Sequence, residues 1–506
     1  MNNLRNQWAP VVIVIGILLV VFHTLSPFDF YFETGLATEA LSPDFFHLID
    51  VRDWGRNMLL FVPVGFGITG LMQRERAGSL TTLSVVLIVS CCLSLTVEVM
   101  QAFLPSRTPT LRDISSNSIG GVLGFLSFYL VRFLLLGELR NRASVKTLAS
   151  CFVGYLLFSS LVVFALQGAT NLNNWEPNFP LLLGNEKTGD RPWRGHISEF
   201  SVADKALSKA EVKKVFQRGG LDTALGDFVL ASYQLDGNGD YRDQAGRLPN
   251  LSWRGQSPDS EQMLGVFLSS SQWLETTAPP VLLAKKLSET SRFTFSAIVA
   301  TAELKQSGPA RIVTLSSDSH HRNFTLGQSG THLLFRLRTP LAGKNGVSGQ
   351  LLFPNVFSDE DFHHLVVTYD SRMVTLYIDD VQKPRSIYLS PEYTLFGCFF
   401  CPYDPTIHVN PLNILVYKFV YFGISLIPLG YLLVLIVPKL RGEFLTRSLL
   451  GFAGVLVPIL VLEGLLATGS GRQMSVENLL IGMVAMSGAM LISKITLDWK
   501  RPDLNS

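Results

Sequence analysis

The chain has 506 residues, of which 47% are hydrophobic and only 16% are charged, whereas charged residues make up about 25% of an ordinary soluble protein. Its formal net charge of +2 excludes the strongly basic balance that is expected of a nucleic-acid-binding protein. Its five cysteines are too few for a disulfide scaffold.

Eight apolar stretches are long enough for membrane-spanning helices, which need about 20 apolar residues each. The first stretch is not interpreted as a cleaved signal peptide, because Ser26-Pro27-Phe28-Asp29 follows it instead of a small-residue cleavage site. The stretches lie at about residues 9–26, 57–72, 79–104, 114–136, 147–167, 411–437, 446–468 and 474–494.

Lysine and arginine in the loops predict the orientation, because cytoplasmic loops are enriched in these residues. If the N-terminus with Arg5 is cytoplasmic, every inner segment is basic, whereas the outer loops are mixed in charge. We therefore predict a multi-pass protein of the cell (inner) membrane, with both termini cytoplasmic and residues 168–408 extracytoplasmic. The inner residues are Arg74, Arg76, Arg140, Arg142, Lys146, Lys439, Arg441, Arg447, Lys494, Lys500 and Arg501.

The long segment between the fifth and sixth stretches has the pattern of a β domain. Short alternating runs predict strands, and Gly, Pro, Asn and Asp separate them. This pattern is typical of an antiparallel sandwich or jelly roll. One helix is predicted over 208–216, where Ser208 and Glu211 form a capping box. The clearest runs are 293–299, 310–315, 332–337, 364–369 and 374–378.

Residues 53–124 carry polar residues and glycines in an order that resembles the VanZ-like family. The namesake of that family is linked to resistance against lipoglycopeptide antibiotics such as teicoplanin. The resemblance therefore implies an effect on glycopeptide susceptibility, but it supplies no biochemical activity. The matching segments are Asp53-x-x-x-Asn57-x-Leu59-Leu60-Phe61-x-Pro63-x-Gly65-Phe66, Glu98-x-x-Gln101-x-Phe103-x-Pro105-x-Arg107 and Asp113-x-x-x-Asn117-x-x-Gly120-Gly121-x-x-Gly124.

The β segment resembles the laminin-G (LamG) or concanavalin A-like jelly roll. Residues 233–240 are similar to the opening strand of that domain, and residues 364–380 are similar to its late hairpin. The segment similar to its closing strand, residues 191–200, precedes the opening strand in this chain, whereas in the resembled domain it follows the late hairpin. We therefore predict a circular permutation, which is feasible because the terminal strands of a jelly roll are adjacent.

These resemblances predict an α-helical polytopic membrane bundle plus an all-β concanavalin A-like sandwich. The domains are a VanZ-like membrane domain at 1–167, a LamG-like domain at 168–408 and a C-terminal membrane domain at 409–506. In the last helices, Glu463 precedes Arg472 by nine residues, as Glu98 precedes Arg107. Helices 5–8 are therefore interpreted as a degraded copy of helices 1–4, with chance similarity between apolar helices as the alternative.

Six polar residues of the VanZ-like segments are predicted to converge at the outer ends of the helices, near the outer leaflet. A charge near the centre of a membrane helix costs about 2.5–3.5 kcal/mol, so it faces a partner or a cavity. Two interpretations stay open: a hydrogen-bonded polar plug, in which Arg107 pairs with Asp113 or Glu98, or a head-group site, in which Arg107 holds a phosphate or carboxylate. The ligand-binding candidates are Asn57, Glu98, Gln101, Arg107, Asp113 and Asn117, with Glu463, Arg472 and Asn478 as their second-half equivalents.

The β domain offers weaker candidates. Asp236, Asn238 and Asp240 alternate as Ca²⁺ ligands do, and a plain Asp/Gly turn is the alternative. Cys398 and Cys401 form a C-x-x-C that is either a disulfide or two free thiols. Four tryptophans either stack on sugar rings or fill the core, namely Trp175, Trp193, Trp253 and Trp273.

The sequence predicts a binding or accessory protein of the bacterial cell envelope, in contact with membrane lipid. Its jelly roll would bind cell-wall or exopolysaccharide glycan, and its VanZ-like helices would bind a lipid-linked head group. One alternative is a membrane enzyme with Glu98 and Asp113 as acid and base. Another is a scaffold whose jelly roll binds an envelope protein. No nucleic-acid partner is predicted, and Ca²⁺ is the one cofactor considered.

Overall fold

A computed structural model describes the chain at residues 8–25, 28, 30, 51–101, 103, 111–135, 143–222, 226–236, 241–256, 265–395 and 406–499. The chain divides into two compact units, residues 1–144 and residues 145–506. The first unit is helical. The second unit contains the β domain together with the helices on either side of it, and each unit is described by itself.

Four long helices form the described part of the first unit: α1 (Trp8–Leu25), α2 (Val51–Arg74), α3 (Ser79–Gln101) and α4 (Leu111–Leu135). Helix α2 packs against the other three. A Cβ atom at Gly65 would overlap the carbonyl oxygen of Gly121, and one at Gly120 would overlap that of Met58. Glycine is therefore required for α2 and α4 to approach this closely, as the Gly120-x-x-x-Gly124 spacing predicts.

The second unit has four long helices of its own: α5 (Val145–Gly168) before the β domain, and α9 (Pro411–Ile436), α10 (Phe444–Ser470) and α11 (Val476–Trp499) after it. Helix α5 packs against α9 and α10. Its Leu157, Leu161 and Phe164 are exposed, as are many apolar side chains on the other long helices. Apolar surface on this scale marks contact with another apolar phase, which for these helices is lipid.

Within the described residues, seven helices are long and apolar enough to cross a membrane, and with them the chain is a multi-pass membrane protein. We predicted eight. The second predicted stretch, 57–72, lies inside α2, which is a 24-residue helix but is not one of the seven. The first two turns of α2 carry the polar residues Arg52, Asp53, Arg56 and Asn57.

The β domain is a sandwich of two sheets, as predicted. Among the described residues, the strands are β1 (Leu181–Leu183), β2 (Gly195–Ala203), β3 (Val229–Gln234), β4 (Leu251–Gly255), β5 (Val266–Leu268), β6 (Gln272–Thr276), β7 (Phe293–Thr301), β8 (Ala310–Ser316), β9 (Arg322–Ser329), β10 (His332–Leu337), β11 (Leu351–Phe353), β12 (His363–Tyr369), β13 (Met373–Ile378), β14 (Asp380–Tyr388) and β15 (Ile407–His408). One sheet has eight strands in the order β15-β11-β10-β9-β8-β1-β6-β4. The other has seven, in the order β14-β13-β12-β7-β2-β3 with β5 also paired to β2.

Aromatic side chains fill the space between the two sheets. The ring centroids of Phe293 and Phe295 on β7 lie 4.1 Å apart, and Phe324 on β9 of the facing sheet lies 4.4 Å from Phe295. Each such ring removes a large apolar area from water, so this cluster stabilises the contact between the sheets. Strand β2, which holds the text similar to a closing strand, lies between β3 and β7. The circular permutation stays our interpretation of this order.

Three short helices complete the β domain: α6 (Lys209–Arg218), α7 (Val281–Thr290) and α8 (Pro391–Leu395). The capping box predicted for α6 is present, because Ser208 accepts from the amide of Glu211 while Glu211 accepts from the amide of Ser208. Helix α6 ends at Gly219, which has φ of +78°. A left-handed residue at this position is the usual way to end a helix.

The β domain is fixed to the helices that flank it in the second unit. Beyond the end of α5, the carbonyl of Ala169 accepts from the amide of Leu341 at 3.1 Å, and Thr170 donates to the carbonyl of Ser371 at 2.8 Å. At the other end, Tyr417 of α9 is buried with the sandwich core, and its hydroxyl accepts from the amide of His408. The β domain and these helices therefore form one packed body.

Candidate functional site

The polar residues predicted on α3 are buried in the first unit. Glu98 and Gln101 lie about one turn apart, and both side chains are almost inaccessible to solvent. Gln101 donates from Nε2 to the carbonyl oxygen of Thr24 on α1 at 3.0 Å. A buried carboxylate and amide at this position satisfy the expectation that polar groups on a membrane helix face the protein interior.

The predicted residues of α2 and α4 contact each other or α3. Asn57 donates to Asp113 Oδ1 at 2.7 Å, and Asn117 donates to Ser94 Oγ at 2.8 Å. The second polar atom of the Asn117 side chain, Oδ1, is buried and has no hydrogen-bond partner among the described residues. Arg107 lies outside the described residues, so its predicted pairing with Asp113 or Glu98 stays a prediction.

The second unit contains a cluster around Glu463 of α10, which is completely buried. Arg472 contacts both carboxylate oxygens of Glu463, at 2.5 and 3.2 Å. Asn478 donates to Glu463 Oε2 at 2.9 Å, and the amide of Ser475 donates to Oε1 at 2.6 Å. The structure thus brings together the three residues that the sequence predicts as second-half equivalents. We call them, with Glu392 and Tyr421, the Glu463 cluster.

Glu392 and Tyr421 are the members of the Glu463 cluster that sequence reasoning missed. Glu392 lies in the first turn of α8 at the end of the β domain, is buried, and lies 3.8 Å from Arg472. Tyr421 of α9 is also buried, and Glu392 and Glu463 are both among its charged neighbours. No local pattern marks either residue, because Glu392 reaches Arg472 only through the packing of α8 on α9, and Tyr421 reaches Glu392 and Glu463 only through the packing of the helices.

Three polar atoms of the Glu463 cluster are buried without a hydrogen-bond partner among the described residues: Asn478 Oδ1, Glu392 Oε2 and the Tyr421 hydroxyl. An unsatisfied buried polar atom costs about 1–3 kcal/mol, so it calls for an explanation. Burial raises the pKa of the Glu392 carboxyl above its ordinary value, which favours its protonated form. The cluster therefore contains an amide oxygen and a carboxyl group whose hydrogen-bonding capacity is not used among the described residues.

Corresponding contacts in the two units differ by about one helical turn. Asn117 contacts Ser94, whereas Asn478 contacts Glu463, which corresponds to Glu98, four residues after Ser94. Gly65 approaches Gly121, whereas Gly430 approaches Met486, four residues after Gly482. The connection is also four residues shorter, six residues from Arg472 to Asn478 against ten from Arg107 to Asn117. In a repeated unit, a deletion of four residues would shift these contacts by one turn, and the repeat stays a prediction.

The weaker candidates of the β domain are mostly structural or lie outside the described residues. Asp236 is exposed, and Asn238, Asp240, Cys398 and Cys401 fall in undescribed segments. Asp243 accepts from four backbone amides at 2.8–3.1 Å and so holds its own loop. In the described part of the chain, no group of three or more His, Cys, Asp or Glu side chains has the geometry of a metal site.

The four tryptophans divide between core and surface. Trp193 is fully buried and donates to Gln328 at 2.7 Å, and Trp175 donates to the carbonyl of Arg338 at 2.9 Å. Both are core residues, so the sugar-stacking alternative does not apply to them. Trp253 packs at the edge of the core. Trp273 is partly exposed and keeps the stacking alternative open.

Two family models match the chain and confirm both predicted resemblances. Residues 3–132 match the VanZ/LLP1 model, and residues 272–401 match the model of the Concanavalin A-like lectin/glucanases superfamily. Comparison with curated proteins and with solved structures gave no significant match. The chain therefore joins a VanZ-like membrane region to a concanavalin A-like β domain in one polypeptide.

Proposed function

We propose that this chain is a binding or accessory protein of the bacterial cell envelope. In this proposal the β domain binds envelope glycan and the helical parts bind the polar head group of a lipid-linked glycan. Both termini are cytoplasmic and residues 168–408 lie outside, as the distribution of lysine and arginine favours. An effect on glycopeptide susceptibility would follow if the bound head group belongs to a cell-wall precursor.

The observation that carries the proposal is the set of three unsatisfied atoms in the Glu463 cluster, of which two are oxygen acceptors beside the ion pair. Asn478 Oδ1 and Glu392 Oε2 are buried beside the ion pair of Arg472 and Glu463, at the end of the helices where the β domain is attached. Sugar hydroxyls donate to oxygen atoms of this kind, and a guanidinium group binds phosphate. A glycosylated lipid phosphate offers both groups.

A structural role for the same cluster would leave these atoms with nothing to bind. Arg472 satisfies Glu463 in two hydrogen bonds, and Ser475 and Asn478 add two more, so the ion pair alone needs no further partner. The carboxyl oxygen of Glu392 and the amide oxygen of Asn478 are additional to that arrangement. Their position favours a ligand-binding cluster over a purely structural plug.

The proposal can be tested with the full chain in lipid nanodiscs that contain a polyprenyl-diphosphate-linked disaccharide, with phosphatidylglycerol as competitor. We expect native mass spectrometry to show the glycolipid bound to the wild type. Asn478→Ala should reduce binding about tenfold, because it removes an acceptor and loosens Glu463. The matched control is Asn413→Ala, at a partly exposed position in the first turn of α9, which should bind normally.

Two results would contradict the proposal. One is equal retention of the glycolipid and of phosphatidylglycerol by the wild type. The other is unchanged glycolipid binding by a folded Asn478→Ala protein. Turnover of the glycolipid that depends on Glu98 and Asp113 would instead support the enzyme alternative.

A further inference from the structure

Helix α6 covers only part of the outer face of the seven-stranded sheet, the side turned away from the sandwich core. The apolar side of α6 packs on Val366 of β12 and Tyr377 of β13. Beyond α6, three rings on the same face stay open to solvent. Phe362 is 39% exposed, and His196 and Phe267 are partly exposed.

Strand pairing arranges these rings in a row across the sheet. His196 of β2 pairs with Phe267 of β5 on one side and with Ala300 of β7 on the other. The ring centroid of His196 lies 4.9 Å from that of Phe267 and 6.2 Å from that of Phe362, just before β12. We call Phe267, His196 and Phe362 the aromatic row. From β5 to β12 it spans three strand spacings, roughly 14 Å.

The aromatic row lies at the end of the sandwich that is remote from the membrane-spanning helices of the second unit. Phe362 precedes the first residue of β12, and Tyr369 is the last residue of that strand. The hydroxyl of Tyr369 donates to the carbonyl of Thr170, two residues after α5. The helices therefore leave the approach to the aromatic row open.

The Phe362 end of the aromatic row is acidic. His363 lies between two carboxylates, 3.0 Å from Asp359 and 2.8 Å from Asp379. In the described part of the chain, Glu360 and Asp361 have no ion-pair partner. Five exposed carboxylates are therefore set against one imidazole at this end, namely those of Asp359, Glu360, Asp361, Asp379 and Asp380.

The other imidazoles near the aromatic row add no positive charge at neutral pH. Burial lowers the pKa of His196 below its ordinary value, and burial lowers the pKa of His364 to about 4. The exposed Arg194 lies just before β2, so the negative charge is concentrated beside Phe362. A cation would be attracted to this end by the carboxylates and by the face of the aromatic ring.

The dimensions of the aromatic row favour a narrow ligand over a protein partner. A stable protein interface takes about 800 Å² from each partner. The aromatic row is only one side chain wide and roughly 14 Å long. Flat aromatic rings offer an apolar surface to sugar rings, and the length of the row exceeds one sugar ring.

We propose that the aromatic row binds a saccharide that carries free amino groups. One sugar ring stacks on Phe362, and a neighbouring sugar contacts His196 or Phe267. An ammonium group of the saccharide pairs with the carboxylate of Asp361 or Glu360. This inference rests on the glycan-binding role proposed for the β domain, and it names the surface and the class of sugar.

The test is isothermal titration calorimetry of the full chain in detergent at about pH 6, where amino groups of this kind are protonated. The probes are the glucosamine tetrasaccharide, its fully N-acetylated counterpart, and spermine, which is a cation without a sugar ring. We expect the glucosamine tetrasaccharide to bind about tenfold more tightly than either of the others, because it alone combines sugar rings with positive charge.

Two exposed side chains can be changed with matched controls. Phe362→Ala should weaken binding of the glucosamine tetrasaccharide about tenfold, whereas Phe228→Ala, at a 51% exposed phenylalanine outside the aromatic row, should not change it. Asp361→Asn should weaken binding about fivefold, whereas Glu289→Gln on the exposed side of α7 should not.

The inference is wrong if Phe362→Ala and Asp361→Asn bind as the wild type does, or if spermine binds as tightly as the amino saccharide. Absence of saccharide binding would also overturn it. Equal binding of the N-acetylated saccharide would refute the preference for amino groups, but if that binding depends on Phe362, the glycan-binding role of the β domain stands. Asn478→Ala should leave the affinity unchanged, which separates this test from that of the head-group proposal.

Discussion

Glu463 shows how much depends on one buried charge. Its carboxylate is inaccessible to solvent, and Arg472 neutralises it through two hydrogen bonds. Removal of one partner from a buried ion pair leaves the other charge unpaired and costs about 3–5 kcal/mol. We therefore expect Arg472→Ala to lower the free energy of unfolding by that amount, measured by denaturant titration in detergent micelles.

The matched control for Arg472→Ala is Arg447→Ala, in the first turn of α10. The side chain of Arg447 has no ion-pair partner among the described residues, so its loss should have little effect on the unfolding free energy. Recovery of stability in Arg472→Met combined with Glu463→Gln would identify the unpaired charge as the cause. Equal losses in Arg472→Ala and Arg447→Ala would contradict the argument.

Glu392 makes the stability of the second unit depend on pH. Because burial raises the pKa of this carboxyl above 4.5 in the folded state, the folded protein holds its proton more tightly than the unfolded chain does. This contribution to stability is complete below pH 4.5 and is lost as the pH rises through the folded pKa. We expect Glu392→Gln to reduce the loss of thermal stability between pH 4.5 and 8. A wild type and variant with parallel pH profiles would exclude this effect.

At the scale of the elements, close helix packing depends on two glycines with different surroundings. A Cβ atom at Gly65 would overlap the backbone of Gly121, whereas one at Gly430 would lie 2.8 Å from the carbonyl oxygen of Met486. We expect Gly65→Ala to separate α2 from α4 and abolish folding, and Gly430→Ala to be only moderately destabilising. Expression level and detergent-solubilised melting temperature would measure both effects.

Gly154 on α5 is the control for these two substitutions, because a Cβ atom there would meet no other atom within 4 Å. Gly154→Ala should stabilise the helix slightly, by about 0.5–1 kcal/mol, since glycine is the poorer helix former. The packing argument fails if Gly154→Ala and Gly65→Ala have the same effect.

Local patterns predicted the elements well where the determinants are local. The capping box of Ser208 and Glu211 and the alternating runs of β7 and β12 appear where the sequence places them. The prediction and the structure differ at α2. This helix forms, but its first two turns are polar, so it does not meet the hydropathy expected of a membrane-spanning helix. Apolar length therefore predicts that a helix forms more reliably than it predicts that the helix crosses a membrane.

The candidate sites show the limit of sequence reasoning more clearly. Glu463, Arg472 and Asn478 could be predicted together because Glu463 precedes Arg472 by nine residues, as Glu98 precedes Arg107, and Asn478 precedes Gly482 by four, as Asn117 precedes Gly121. Glu392 could not, since it enters the cluster from the β domain, 71 residues before Glu463 (463 − 392).

At the scale of the whole molecule, the predicted orientation has a direct test. If residues 168–408 are extracytoplasmic, protease added to sealed, right-side-out cells should cut within that segment and spare tags at both termini. The same treatment of inverted vesicles should remove the tags instead. Accessible terminal tags on intact cells would overturn the orientation, and with it the proposal that the β domain meets envelope glycan.

Tyr417 belongs to a membrane-spanning helix, yet its ring is enclosed by the sandwich core next to Tyr393. The enclosed ring and its hydrogen bond to the amide of His408 fix the start of α9 to the sandwich. The start of α9 and the sandwich therefore share one core, so a displacement of the β domain would move the first turns of α9 with it.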